Sequence, residues 1–446
     1  NSLATVGDSS CCNNSDQLLT QLGNDIDGEG SSNFSGKSIS ISGNGSIIAI
    51  GADHNNNNNG VQSGHVRVYE NLSGSWSQIG QDIDGENPFD YSGNQISLNN
   101  NGNILAIGAS YNNQNGLNSG HVRVYEYISG NWNQIGQDID GETSGSYSGH
   151  SVSLSGDGNT VAIGAPYNYG NGSNSGHVRV YENIGGSWLQ TGQDIDGEAA
   201  GDASGYSVSL SNGGNIVAIG ASGNDGNGSN SGHVRIYENI GGSWLQTGQD
   251  IDGEAIENFS GWSVELSANG NTVAIGAKHN NGNGLNSGHV RVYENISGTW
   301  VQVGQDIDGE STLDWSGWSV SLSGDGNTVA IGAPHNGSNG YRSGHVRLYS
   351  KILDINLGTY NWTQIGQDID GEAIEDQSGY SVSLSNDGAT VSIGALYNDG
   401  NSSNSGHVRV YSLSNPCTDL GCLDPLALNF DPNATVNDST CIYPNY

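Results

Sequence analysis

Three carboxylates fall within five residues, and the same phrase recurs along the chain. It reads GNDIDGE from Gly23, then GQDIDGE from Gly80, Gly136, Gly192, Gly248, Gly304 and Gly366. Its acids are Asp25, Asp27 and Glu29; Asp82, Asp84 and Glu86; Asp138, Asp140 and Glu142; Asp194, Asp196 and Glu198; Asp250, Asp252 and Glu254; Asp306, Asp308 and Glu310; and Asp368, Asp370 and Glu372. Oxygen donors at this density suit calcium, the cofactor expected if these loops bind one, which takes roughly six to eight oxygens per ion. One loop supplies only a few of them, so backbone carbonyls or Asn side chains of an adjacent loop would have to complete a site. The other reading is structural. Asp caps its own backbone, Gly supplies a positive φ, and the carboxylates hold the repeat's own His and Arg, such as His177 and Arg179. Both readings stay open. Charge counting favours a cation, because the loops hold 21 carboxylates against seven repeat arginines. Like charges on one rim repel at low salt and are screened at high salt.

Two further sets of residues have chemical potential. His65, His121, His177, His233, His289, His345 and His407 each open a copy of HVR. No Cys or second His accompanies any of them, so a structural hydrogen bond at the strand start is expected rather than a transition metal. The position after each SG reads Lys37, Asn94, His150, Tyr206, Trp262, Trp318 and Tyr380, with Trp315 close by. His150, Tyr206, Trp262, Trp315, Trp318 and Tyr380 would either pack between repeats or stack on sugar rings. Trp76, Trp132, Trp188, Trp244, Trp300 and Trp362 are expected to pack. The copies are near-duplicates, and none is seen to carry an acid/base pair that the others lack. Catalysis needs one particular constellation, so no enzyme is expected.

The elements that must position these residues follow from the period. SGHVR begins at Ser63, Ser119, Ser175, Ser231, Ser287, Ser343 and Ser405, at steps of 56 residues and a last step of 62. In the third copy, SVSLS (151–155), TVAIGA (160–165), HVRVYE (177–182) and WLQTG (188–192) alternate with period two between Gly, Asn and Asp. No helical pattern appears. Seven four-stranded units predict an all-β chain, a seven-bladed β-propeller of antiparallel blades. The alternation is read as one bulky apolar blade face, with Val152, Leu154, Val161, Ile163, Val178 and Val180, against a smaller one. The last copy stops after its third strand, while QLLTQLG (17–23) sits in the fourth-strand position before the first acidic loop. The N-terminal strand should therefore complete the seventh blade and close the ring. Strands two and four end on one rim, which gathers the acidic loops, the Asn/Gly-rich loops and the SG residues.

Composition bounds the rest. The net charge of −35 argues against nucleic acid and anionic membrane surfaces as partners, and no apolar run is long enough to insert in a membrane. The chain has no Met, so a processed mature protein or a fragment is expected. The five cysteines lie only near the ends: Cys11, Cys12, Cys417, Cys422 and Cys441. Cys422 is expected to pair with Cys441, and Cys417 with Cys11 or Cys12, in an oxidising extracellular compartment. The expected domains are a lead-in over 1–16, the propeller over 17–412 and a small module over 413–446.

At SGHSVSLSGDGNTVAIGAP (148–166) the repeat resembles the FG-GAP repeat of integrin α-subunit propellers, through Gly149, Ser151 and Val152 and through Gly164, Ala165 and Pro166. The whole phrase is similar to FG-GAP-like propellers of secreted proteins from marine bacteria and algae. Ser stands in the Phe position (Ser35, Ser92, Ser148), and the family's Asp-rich calcium turn is reduced to Asp157, Asp325 and Asp387. GCLDPLALNFDPNATVNDSTCIY (421–443) resembles a small Cys-paired module of secreted marine bacterial proteins. The resemblance implies a secreted or cell-surface, non-catalytic binding or adhesion platform with a protein or carbohydrate ligand. A structural subunit of an extracellular assembly is the alternative, and a polysaccharide-active enzyme the third.

Overall fold

The computed structural model describes residues 18–354, 357–414, 420–421 and 436–437. All five cysteines, and with them the expected pairs Cys422–Cys441 and Cys417 with Cys11 or Cys12, lie outside the described residues, as does the lead-in over 1–16. Of the C-terminal segment, a parallel pairing of Leu420–Gly421 with Val436–Asn437 is described.

Seven antiparallel sheets, one per repeat, make the ring. The third blade shows the plan: Ser151–Leu154 innermost, then Thr160–Ala165, His177–Ile184 and Ser187–Gln190. Alternating β-branched residues fit a pleated, half-buried surface, and the Gly- and Asn-rich turns between them end each strand. No helix occurs among the described residues. The six extra residues of the sixth repeat lengthen its outer hairpin, His345–Asp354 with Thr359–Asp370.

The acidic phrase is more than a link between blades. Its Ile-Asp dipeptide returns to pair with the third strand, as in His177↔Asp196 and Val178↔Ile195. It is thus the second half of the fourth strand, and in the sixth blade the two halves run as one strand over Thr359–Asp370.

Closure follows the expected route. Leu18–Gln21 pairs antiparallel with His407–Ser414, and Ile26–Asp27 pairs with Val408 and His407. Leu19 packs on the sixth–seventh blade core and Leu22 on the seventh–first. Replacing Leu19 by Asp puts a charge on a half-buried apolar seam. A loss of about 1–2 kcal/mol is expected, read as a lower thermal midpoint. An unchanged midpoint would show that this strand does not hold the ring shut.

Register corrects the expected division of blade faces. Ile163 lies opposite Arg179 and Val161 opposite Tyr181, whereas Val178 and Val180 lie opposite Gly164 and Ala162. Val178 and Val180 therefore do not share a face with Val161 and Ile163. One face is bulky near the axis (Val152, Leu154, Val161, Ile163) and continues outward into Tyr181 and Trp188. The facing side of the preceding blade offers Ala106, Val122, Val124 and Ile139. Large meets small near the axis, which lets wedge-shaped blades close-pack. Near-complete burial of each Val or Ile contributes about 1.5–3 kcal/mol.

Two polar devices complete the seam. Gly164 meets the carbonyl of Gly205 in the next blade so closely that a Cβ would lie 2.1 Å from that oxygen. This contact joins the "GAP" glycine of one repeat to the "FG" glycine of the next. On the innermost strands a Ser hydroxyl accepts the amide N–H of the next blade's Leu or Ile, as in Leu210 N to Ser153 Oγ at 2.9 Å. Ser40, Ser97, Ser209, Ser321 and Ser383 repeat the latch. In the fifth blade the position is Glu265.

Candidate functional site

The acidic loops, the Asn/Gly-rich loops and the SG residues meet on one rim, as the strand directions require. Taking GQDIDGE from Gly136, each residue has a place. Gln137 clamps the next blade's outer strand, donating to the Trp188 carbonyl at 2.8 Å and accepting from its N–H at 3.3 Å. Asp138 Oδ1 accepts from Gln134 Nε2 at 2.6 Å. Ile139 is buried between blades. The Asp140 carbonyl accepts from Arg179 Nη2 of the next blade at 2.9 Å, and Glu142 faces Arg179 Nη1 at 3.3 Å. The loop thus staples each blade to its successor.

Two expectations change here. The first glycine of each loop takes the positive φ, as Gly136 does at +72°, but the glycine inside DIDGE does not. Gly141 and Gly197 sit where a Cβ would lie 1.9 and 2.0 Å from the carbonyls of Ser119 and Ser175, so close approach requires them. The seven histidines do not hydrogen-bond the carboxylates. His65, His177, His233, His289, His345 and His407 hold Nδ1 at 3.7–3.9 Å from the first Asp of their own loop, beyond hydrogen-bond reach. The central Asp is half-buried in five loops and exposed at Asp252 and Asp370, and burial followed by its Asp neighbour raises the pKa of Asp84, Asp140, Asp196, Asp308 and Asp370. The hairpin acids are committed to their own turns: Asp157 Oδ1 takes the Ser155 hydroxyl at 2.6 Å and the Asn159 N–H at 2.9 Å. The outer tryptophans pack as expected; Trp188 is buried and its Nε1 donates to the Ile135 carbonyl of the preceding blade at 2.9 Å.

The same rim surrounds the mouth of the central channel, a cavity of ≈ 580 Å³ lined by the innermost strands. The residues after SG ring this mouth. His150, Tyr206, Trp262, Trp318 and Tyr380 form a continuous arc, with centroid separations of 4.7, 4.4, 5.1 and 5.2 Å. The arc ends where Lys37 Nζ donates to Tyr380 Oη at 2.7 Å.

Outside it lies a second arc. Tyr397, Phe34, His54, Tyr91, Tyr111, Tyr147 and Tyr167 touch in series at 4.6–5.2 Å. Phe259, His279, Trp315 and His335 continue it in the fifth and sixth blades, with His335 stacked on Trp315 at 3.5 Å. Most of these rings are half-buried. The collar is interrupted at Ala203 and Gly223 in the fourth blade and at Gln377 in the seventh. Phe34, Tyr91, Tyr147, Phe259 and Trp315 all have φ of 52–58°. Ala203 and Gln377 at the same repeat position share it, at 53° and 54°, so the left-handed turn belongs to the repeat.

The fifth blade breaks the symmetry. Lys278 is buried with Nζ 2.8 Å from the Trp262 centroid and 4.5 Å from that of Trp318, and burial lowers its pKa to about 7. Glu265 points into the channel, and burial, opposed by Ser209, pushes its pKa up to about 8. The expected equivalence of all copies therefore fails at these two positions. Register sets Glu265 opposite Ala274, and Lys278 stands four residues further on, roughly 13 Å along the strand.

Several of these residues carried a readable signal. The residue before SG is aromatic in five of the seven copies, and the second residue after GA is an aromatic or His in six. Stacking the sequence on its repeat would have shown the outer arc and the lone Glu265 and Lys278.

Comparison with known proteins agrees with this architecture. An FG-GAP repeat family model matches residues 139–181 and 306–349. Among solved structures, hydrazine synthase of Kuenenia stuttgartiensis superposes with a TM-score of 0.53 at 13% identity, covering 87% of this chain and 97% of that one. A Bacteroides uniformis protein provisionally assigned as a 6-phosphogluconolactonase gives 0.51 at 12% identity, covering 76% and 87%. At such identity the likeness speaks for fold alone. No curated protein matches the sequence. No helix among the described residues is long and apolar enough to cross a membrane. Residues 139–181 and 306–349 are FG-GAP repeats, set in a seven-bladed β-propeller closed by its N-terminal strand.

Proposed function

We propose that this propeller is an extracellular, non-catalytic binding platform whose ligand face is the aromatic collar, and that the ligand is a carbohydrate. The observation that carries this reading is the two arcs of mostly half-buried rings around the channel mouth, interrupted only in the fourth and seventh blades. Flat aromatic faces offer large contact area at little cost in side-chain entropy, and they match the C–H faces of sugar rings. A polyanion is disfavoured by the net charge of −35. A quaternary ammonium ligand would need the cage between Trp262 and Trp318, which Lys278 already fills. The non-catalytic reading is supported by the separation of Glu265 from Lys278 along the strand; the one close acid/base pair at the mouth, His54 Nδ1 to Asp53 Oδ1 at 2.8 Å, is read as holding the His54 ring in the collar.

The test is a glycan array followed by calorimetry on the best oligosaccharide. Trp262→Ala and Trp315→Ala should each weaken binding at least about tenfold while the thermal melt stays cooperative. A wild-type protein that binds no glycan sinks the reading. Self-assembly is the second reading, favoured by Leu72, Ile128, Ile184, Ile240 and Ile296, which are exposed at the ends of the third strands on the opposite rim. Sedimentation as a monomer at high concentration would dispose of it.

A further inference from the structure

We propose that the blade junctions are divalent metal sites of the zinc class. Each would be ligated by the Nδ1 of the repeat histidine, the first Asp of its own acidic loop and the Glu of the preceding loop. Seven groups of three such residues have ligand atoms within 4.8 Å of one another, among them Glu29/His65/Asp82 and Asp25/Glu372/His407. The ligand set differs from a calcium site built on one acidic loop. It draws on two loops, includes an imidazole and leaves out the central Asp.

The fourth–fifth and fifth–sixth junctions are typical. His289 Nδ1 lies 3.8 Å from Glu254 Oε2 and 3.8 Å from Asp306 Oδ2. His345 Nδ1 lies 3.8 Å from Glu310 Oε2 and 3.8 Å from Asp368 Oδ2. These separations are too long for hydrogen bonds. They are close to those of ligands sharing one ion: metal–ligand bonds of about 2.0–2.2 Å at tetrahedral angles put neighbouring donors ~3.4 Å apart.

The remaining atom of each carboxylate is already engaged, as outer partners engage metal ligands. Asp306 Oδ1 accepts from Gln302 Nε2 at 2.7 Å, and Asp368 Oδ1 from Gln364 Nε2 at 2.6 Å. Glu254 Oε1 faces Arg291 at 3.7 Å, and Glu310 Oε1 faces Arg347 at 3.6 Å. At Asp306, Asp368 and Glu310 the oxygen turned to the imidazole has no hydrogen-bond donor, whereas Glu254 Oε2 also accepts from Asn280 Nδ2 at 3.2 Å, a bond that an ion would replace.

An independent observation points to the ligand. Nδ1 of His121, His289 and His345 is buried with no hydrogen-bond partner, and the side chains of His289 and His345 are 1% exposed. Buried polar atoms are nearly always satisfied. A cation between Nδ1 and the two carboxylates satisfies all three. One imidazole with two carboxylates suits zinc or a neighbouring first-row ion, whereas calcium wants an all-oxygen shell of roughly six to eight donors. Seven divalent ions would also offset the excess of 21 loop carboxylates over seven repeat arginines.

The experiment uses the full chain at pH 7.5, stripped with chelator and then dialysed against ZnCl2 or CaCl2. About seven equivalents of zinc should bind, and the melting midpoint should rise by at least ~5 °C with zinc and not with calcium at equal concentration. His289→Gln should lower the zinc stoichiometry by about one while the protein still melts cooperatively. The proposal is overturned if the wild type binds no zinc, if calcium stabilises it equally, or if His289→Gln folds and keeps the full stoichiometry. Should His289→Gln fail to fold, Glu254→Gln is read the same way.

Discussion

Gly197→Ala should cost about 3 kcal/mol or more, although it adds only one methyl group and changes no charge. The added Cβ would lie 2.0 Å from the carbonyl oxygen of Ser175 and 2.8 Å from its carbon. That carbonyl cannot retreat, because it accepts the Ser204 N–H at 2.9 Å, which ties the third blade to the start of the fourth. On the other side, Gly197 N–H donates to the Gly176 carbonyl at 2.9 Å, so the loop cannot lift away without breaking the end of its own sheet. Overpacking against a fixed backbone typically costs about 1–3 kcal/mol and more where nothing can move. The control is Gly185→Asn. Gly185 has φ +62° and no atom within 4 Å of its would-be Cβ, and Asn tolerates that conformation, so little change is expected. Denaturant melts of both variants decide the matter, and equal midpoints would mean that the loop does not staple the blades.

The Gly197 contact lies beyond what spacing alone encodes. The period of 56 residues, the alternation within HVRVYE and the displaced strand at QLLTQLG were enough for the number of blades, the strand order and the closure, because each is a property of spacing. By residue type alone the glycine of DIDGE reads as a turn residue, because Gly most often serves there. Its real reason is a carbonyl of its own blade's SGH segment, 22 residues earlier in sequence, and such contacts become visible only when register is known. Val178 and Val180 were placed on the wrong face for the same reason. Strand alternation fixes which residues of one strand share a side, but not which side of the neighbouring strand they join. At the rim, the inner ring was legible from one variable column. The outer ring needed two columns, before SG and after GA, that interleave only in space.

Glu265 is the position where the repeat departs furthest from its own rule, and it carries the second large prediction. Six repeats place a Ser hydroxyl there to latch the next inner strand. The fifth gives up that latch for a carboxyl facing the channel, whose pKa burial raises to about 8. An acid with a raised folded-state pKa keeps its proton in the folded protein while the unfolded chain, with an ordinary value near 4.5, has lost it. Its stabilising share is therefore complete below about pH 4.5 and declines as pH rises towards 8. The full shift would correspond to roughly 5 kcal/mol. Glu265 keeps a partly accessible surface towards channel water, which screens the charge, so about 2 kcal/mol is the expected size. Lys278 works in the opposite sense, since burial lowers its pKa to about 7 and its share is lost as pH falls from about 10.5 towards 7. Comparing wild type with Glu265→Gln cancels that contribution. The two proteins should melt alike near pH 4.5, and Glu265→Gln should become the more stable by about 2 kcal/mol at pH 8.5. Glu265→Ser, which restores the latch, should be at least as stable as the Gln variant there. Parallel stability curves across this range would show that the carboxyl is ionised and solvated throughout. The channel would then be an ordinary water-filled pore at that level, and not a place where one blade holds a proton that the others have no group to carry.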